Sequence, residues 1–213
     1  MKLSGKVALV TGGARRVGAA IVQELVSAGT HVALHHHTSS QEAHALAAAL
    51  SSSSVEVVPF QADLQSTSQI DRLFEDVDRH FGGLDILVSN ASLFQRTPLA
   101  TSTLEAWQQS LQVNLTAPFW CARLAAPRMQ ARGEGVILHL ADIAGERGWP
   151  GYAAYSCAKA GLLMLTQVLA LELAPLIRVN AIAPGTVLWP DDMDRALQER
   201  LVARIPLQRI GTP

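Results

Sequence analysis

Val7-Ala8-Leu9-Val10-Thr11-Gly12-Gly13-Ala14-Arg15-Arg16-Val17-Gly18 sets the pattern for the whole chain. Four consecutive apolar residues read as a buried strand, and Gly12 and Gly13 supply the tight turn that ends it. The spacing over 17–28, stopped by Gly29, is that of a helix. A strand, a glycine turn and a helix in that order bring unpaired N–H groups and a positive dipole end to one point, which suits a pyrophosphate. Any tight turn after a strand recruits glycine, so this one gains meaning only from its place in the rest of the chain.

The same alternation continues toward the C-terminus. Residues 31–35, 55–58, 85–88, 135–140 and 177–182 read as strands. Helical patterns cover 40–50, 68–81 and 152–173. A further long helix opens at Ser102-Thr103-Leu104-Glu105, which has the form of a capping box, and is divided near Pro118. Residues 51–54 are a serine loop. This order predicts an α/β, doubly wound (Rossmann) parallel sheet with helices on both faces. A single dinucleotide-binding domain carrying the active site is expected over 1–213. Residues 205–213 resemble the approach to another element, so a C-terminal strand is expected to be missing after Pro213.

Composition narrows the function classes. The chain is 49% apolar and 16% charged, enough for a packed core and unlike a disordered segment. Its net charge of −1 gives no electrostatic footing for nucleic acid or an anionic membrane. Cys121 and Cys157 lie in helical patterns and read as free thiols rather than a disulfide or metal framework. The N-terminus runs straight into the first strand, leaving no room for a signal peptide. The apolar run 161–177 carries Gln167, Glu172 and Pro175, which fits a core helix better than a membrane span. The cytoplasm is the expected location.

Asp142 is followed by Tyr155 thirteen residues later and by Lys159 after four more. Residues four apart share a helix face, and an ammonium beside a phenol favours the phenolate, lowering a pKa that is ordinarily about 10. Singly, each has a plainer reading: a helix cap, a solvated lysine, a loop aspartate. With the glycine turn they point to a nicotinamide-dependent reductase, Tyr155 being the proton donor. The second strand ends in His35-His36-His37-Thr38-Ser39, with no acid for a ribose 2′-hydroxyl. Imidazoles, hydroxyls and Arg15 suit a 2′-phosphate, so NADPH is the expected cofactor. Arg15 and Arg16 are either surface charges or charge-assisted contacts to the cofactor. Strand alternation turns His36 away from His35 and His37, which argues against three convergent metal ligands, and no metal is expected.

Together these residues resemble the short-chain dehydrogenases/reductases. The matching stretches are Thr11-Gly12 to Gly18, Ala62-Asp63-Leu64, Ser89-Asn90-Ala91-Ser92, Asn114, Tyr155 with Lys159, and Pro184-Gly185. Arg16 where the family has glycine, Asp142 where it has serine, and the histidine/serine stretch make the chain similar to the pteridine reductases. Ser92-Leu93-Phe94 and the stretch from Val179 through Trp189-Pro190 also look like that branch. Ser89 stands where an asparagine is usual.

The resemblance implies NADPH-dependent reduction of dihydropterins, dihydrobiopterin-like or dihydrofolate. It also implies a helix and a seventh strand past Pro213, and a homotetramer built on the long helices beginning near Ser102 and Tyr152. By position, Gly12, Arg15, Arg16, Val17 and Gly18 would form the cofactor turn, and His37, Thr38 and Ser39 would meet the 2′-phosphate. Asp63 and Leu64 would border adenine, Asn90 and Ala91 the adenosine side, and Pro184 and Gly185 the far wall. Lys159 would bind the nicotinamide ribose and lower the pKa of Tyr155, and Asn114 would hold a water linking Lys159 to solvent. Arg16, Ser92, Phe94, Asp142 and Tyr155 would form the substrate site. Phe94 would stack on the pterin unless it is simply core, and Trp149, Trp189 and Pro190 would fold over or pack around the site. A carboxylate at Asp142 suits the N–H donors of an amino-pyrimidine edge better than a serine would. The alternatives are a carbonyl or 3-oxoacyl reductase, and a non-catalytic dinucleotide sensor.

Overall fold

The computed structural model describes residues 1–189 and 193–213 and contains one parallel sheet. Its strands are β1 (Val7–Val10), β2 (His31–His36), β3 (Val57–Gln61), β4 (Ile86–Ser89), β5 (Gly135–Leu140) and β6 (Ile177–Ile182), in the order β3-β2-β1-β4-β5-β6. Alternation along the strands builds two cores. Leu9, Leu87, Ile137 and Val179 face α3 (Thr67–Phe81), α5 (Ala117–Ala131) and α6 (Ala153–Glu172). Ala8, Val10, Val32, Leu34 and Val88 face α1 (Arg16–Ser27) and α2 (Ser40–Leu50). Strands buried on both faces explain the continuous apolar runs in the sequence.

The sheet grows outward from β1 to β3, then restarts at β4 on the other side of β1, with Ala8 opposite Ile86 and Val10 opposite Val88. That reversal opens a crevice at the carboxyl ends of β1 and β4, where doubly wound folds bind ligands.

Local departures from the sequence reading have identifiable causes. β3 begins at Val57, because the hydroxyls of Ser51 and Ser52 accept from the Val57 and Val55 N–H groups and extend the serine turn. It runs on through Pro59, which is tolerated because β3 lies at the sheet edge. Helix α4 (Leu104–Leu111) is capped by Thr103, whose hydroxyl accepts from Ala106 N–H at 3.2 Å, and not by Ser102. Helices α4 and α5 are joined without a break by a π-turn over Gln112–Thr116, whose flanking residues are all right-handed helical, and Pro118 follows it at the second residue of α5. Helix α7 (Arg195–Val202), which the sequence reading does not include, is capped by Asp194 and carries Leu197, Leu201 and Val202 on one face. By length and composition α6 could cross a membrane, yet its Tyr155, Ala158, Lys159, Leu162 and Leu169 face the protein interior.

Candidate active site

The turn after β1 and the segment after β4 form one hydrogen-bonded unit. Thr11 Oγ1 accepts from the N–H groups of Asn90 and Ala91 at 3.0 and 3.1 Å. Asn90 Nδ2 donates back to the carbonyls of Thr11 and Gly12 at 2.9 and 3.0 Å. A Cβ at Gly18 would lie 2.1 Å from the Gly12 oxygen and 2.7 Å from Asn90 Nδ2, so no side chain fits there. Gly12 takes φ +62 against Ala91, and Arg16 takes φ +53, a left-handed conformation uncommon for a side-chain-bearing residue. Arg16 reaches across the crevice and donates to the Leu188 carbonyl at 3.0 Å. Arg15 points outward, 3.6 Å from the carboxylate of Glu42 on α2. Val17 lies half-buried in the first turn of α1.

At the end of β2 the imidazoles diverge. His35 is buried and contacts both Gly12 and Ala62, whereas His36 faces His44 on α2, ring centroids 6.1 Å apart. His37 and Thr38 are exposed and Ser39 is half-buried ahead of α2. Asp63 closes its own turn by accepting from Gln65 N–H, and Leu64 is buried beside it.

Asp142, Tyr155 and Lys159 do converge. Asp142 leaves the end of β5; its Oδ1 accepts from Ala144 N–H at 2.8 Å and its Oδ2 accepts from the Tyr155 hydroxyl at 2.8 Å. Lys159 is 2% exposed and donates to the Leu140 carbonyl at 2.6 Å, its Nζ 5.7 Å from the Tyr155 ring centre. The 3-10 turn Ile143–Gly145 rests on this lysine: a Cβ at Gly145 would lie 2.8 Å from the Lys159 carbonyl carbon. Ile143 N–H donates to Pro184, and the Ile143 side chain covers Gly185.

The electrostatics correct one expectation. Burial first, then the Asp142 charge and its hydrogen bond, push the Tyr155 phenol well above its ordinary range, although Ser92 acts slightly against them. Lys159 does not lower it; burial brings that lysine itself down to about 8, partly opposed by Asp142.

A second correction concerns Asn114. An amide has two acceptor and two donor positions, and the protein fills all four. Its Oδ1 accepts from Ser92 Oγ and Leu93 N–H, and its Nδ2 donates to the Leu93 carbonyl and Ser110 Oγ. The side chain therefore fixes the Ser92–Leu93 turn and has no free position for a relay water. That turn presents Phe94, 55% exposed. The core alternative for Phe94 is thereby ruled out, but only one face is free, because Tyr152 stacks on the other at 4.7 Å and 11°. Tyr155 and Trp149 meet Phe94 edge-on.

Trp189 stands apart, lining a cleft of about 430 Å³ with Arg195, Gln198 and Val202 of α7. Asp142, Tyr155, Lys159 and Phe94 are not in that lining, and Pro190 lies outside the described residues. The sequence reading missed Glu42, Gly145 and Tyr152 as site residues, and placed His35 only among the imidazoles offered to a 2′-phosphate. Tyr152 had a signal, one helical turn before Tyr155; Glu42 had none, because its proximity to Arg15 is tertiary.

A buried phenol hydrogen-bonded to a carboxylate, an ammonium behind it and a half-open aromatic face can position a flat polar ring and protonate it. A family model for short chain dehydrogenase matches residues 6–201. The chain is 36% identical over 213 residues to a 3-oxoacyl-[acyl-carrier-protein] reductase of Synechocystis sp., covering 99% of this chain and 85% of that one. It is 36% identical over 229 residues to hydroxynaphthalene reductase arp2 of Aspergillus fumigatus, covering 100% and 83%. The structure of FolM alternative dihydrofolate reductase 1 from Brucella canis, complexed with NADP, is similar with a TM-score of 0.91 and 34% identity, covering 98% of this chain and 83% of that one.

Proposed function

The chain belongs to the short-chain dehydrogenase family, and from that premise we propose that it is an NADPH-dependent reductase of dihydropterins, dihydrobiopterin-like or dihydrofolate. The observation that carries this reading is the Asp142 carboxylate 2.8 Å from the Tyr155 hydroxyl, with the exposed Phe94 ring set edge-to-face against Tyr155 at 4.9 Å. A carboxylate accepts from both N–H groups of an amino-pyrimidine edge, and a flat heterocycle gains aromatic contact area on Phe94. The structural likeness to a dihydrofolate reductase complexed with NADP supports the same reading.

The turn has the build of a dinucleotide site: Gly12 packs against Ala91 and Gly18 against Gly12 and Asn90 with no space for a side chain between them, and the turn leads straight into the N-terminus of α1. On this reading Arg16, Val17 and Gly18 would hold the pyrophosphate, at a turn that Gly12 shapes. Arg15, His37, Thr38 and Ser39 meet the 2′-phosphate, and Asp63, Leu64, Asn90, Ala91, Pro184 and Gly185 form the walls. A bound reduced dinucleotide would supply the hydride for the carbon of a C=N bond. Tyr155 supplies the proton to the ring nitrogen, general-acid catalysis worth about 10²–10⁴-fold. Lys159 would bind the nicotinamide ribose, and Arg16, Ser92, Phe94 and Asp142 orient the ring. One domain over 1–213 carries both sites, and α4, α5 and α6 supply the contacts of a homotetramer.

A second reading, reduction of a ketone or 3-oxoacyl thioester, is favoured by the identity to the Synechocystis and Aspergillus reductases. Dihydrobiopterin, dihydrofolate and a β-keto ester assayed side by side for NADPH oxidation separate the two. Pterin or folate turnover supports the first reading; turnover of the keto ester alone replaces it with the second. Tight NADPH binding with no turnover of any substrate indicates a dinucleotide sensor.

A further inference from the structure

His35 is 2% exposed at the carboxyl end of β2, between two turns that belong to different strands. Its Nδ1 accepts from the Gly12 N–H at 3.0 Å, and its Nε2 lies 3.0 Å from the Ala62 carbonyl oxygen. Those partners fix the tautomer: Nδ1 faces a donor and must be bare, while Nε2 faces an acceptor and carries the hydrogen. The backbone repeats the connection, since the His35 carbonyl accepts from Gly13 N–H and the His36 carbonyl from Ala62 N–H.

We infer that His35 is a positioning residue for the dinucleotide, its neutral imidazole locking the pyrophosphate turn at Gly12 to the adenine border at Ala62-Asp63-Leu64. The inference deepens the reading of this crevice as a dinucleotide site and rests on it. The bonding has two consequences. The Gly12 N–H is spent on the imidazole, so phosphate donors come from the start of α1. Protonation would set an N–H against the Gly12 N–H and break the lock. Burial opposes that protonation, pushing His35 down to about 4 despite the Ala62 hydrogen bond and nearby Asp63.

The test pairs His35→Phe, which keeps a ring but no polar atoms, with His35→Gln, whose amide can both accept and donate. In His35→Phe the NADPH dissociation constant, read by fluorescence titration, is expected to rise about tenfold or more. The loss should fall on KM for NADPH rather than on kcat or KM for the second substrate, and His35→Gln should recover part of it. A folded His35→Phe protein that binds NADPH as the wild type does overturns the inference. If that variant does not fold, ¹⁵N-histidine spectra of the wild type decide. NADPH must move the His35 Nδ1 resonance while Nε2 stays protonated, and an unmoved resonance overturns the inference. Wild-type protein that binds neither NADPH nor NADH defeats the dinucleotide reading itself, an outcome distinct from the other two.

Discussion

The Tyr155 hydroxyl donates to Asp142 Oδ2 at 2.8 Å, and burial of the phenol, joined by the Asp142 charge and this bond, reverses the electrostatics that the spacing of Tyr155 and Lys159 implies. Lys159 is turned to the Leu140 carbonyl, and the phenol, buried against a carboxylate, holds its proton firmly. On the proposed reading, a substrate edge that donates to Asp142 withdraws that carboxylate from Tyr155 and frees the proton at the moment it is needed.

Replacing Asp142 by Asn keeps the Oδ1 acceptor for Ala144 but removes the charge. The phenolate absorbance of Tyr155 is expected to titrate at lower pH than in the wild type. The kcat/KM for a dihydropterin should fall about 100-fold, within the range of a lost polar contact to the transition state. An unchanged pterin rate would remove Asp142 from the substrate site.

Tyr155→Phe should lose about 10²–10⁴-fold in kcat while its NADPH dissociation constant stays within about threefold. Stopped-flow hydride transfer and equilibrium titration measure the two quantities separately. Retained turnover would show that the proton comes from another group.

Lys159 yields a pH test of stability. Its ordinary pKa of 10.5 falls to about 8 in the fold. Between those values the unfolded chain holds a proton that the folded chain has lost, so stability rises with pH through this window. Lys159→Met carries no such slope. Its melting temperature relative to wild type should therefore be highest below pH 8 and decline steadily toward pH 10.5. Parallel wild-type and variant curves would mean that Lys159 is not desolvated.

Glu42 sits 3.6 Å from Arg15, both side chains about half exposed. A 2′-phosphate has to compete with this carboxylate for the guanidinium. Glu42→Gln should therefore tighten NADPH about two- to fivefold, the scale of one exposed ion pair, and leave NADH unchanged. Equal effects on both cofactors would place the 2′-position elsewhere.

The layered fold was legible because strands buried on both faces must be uninterrupted apolar runs; 135–140 and 177–182 match their strands residue for residue. Helix α7 was not, although Leu197, Leu201 and Val202 share one face, because eight residues with no fully buried side chain make a short signal among charged neighbours. At the site, the shared face of Tyr155 and Lys159 followed from their spacing, and Asp142 joined them through the resemblance, at the position where the family has serine. The direction in which Lys159 spends its hydrogen bond did not, since the Leu140 carbonyl becomes available only once β5 has ended beside α6. The π-turn that aims Asn114 at the Ser92–Leu93 turn is likewise a product of packing, invisible in a continuous helical pattern.

The hydrogen bond from Arg16 to the Leu188 carbonyl joins positions 172 residues apart across the mouth of the crevice. A guanidinium has five N–H donors and spends one on Leu188, so a phosphate held by the others would tie nucleotide binding to the Leu188 segment on the opposite wall. The catalytic cycle should accordingly run in compulsory order, with the nucleotide first to enter and last to leave. Product-inhibition plots would then be competitive only between the oxidised and reduced forms of that nucleotide.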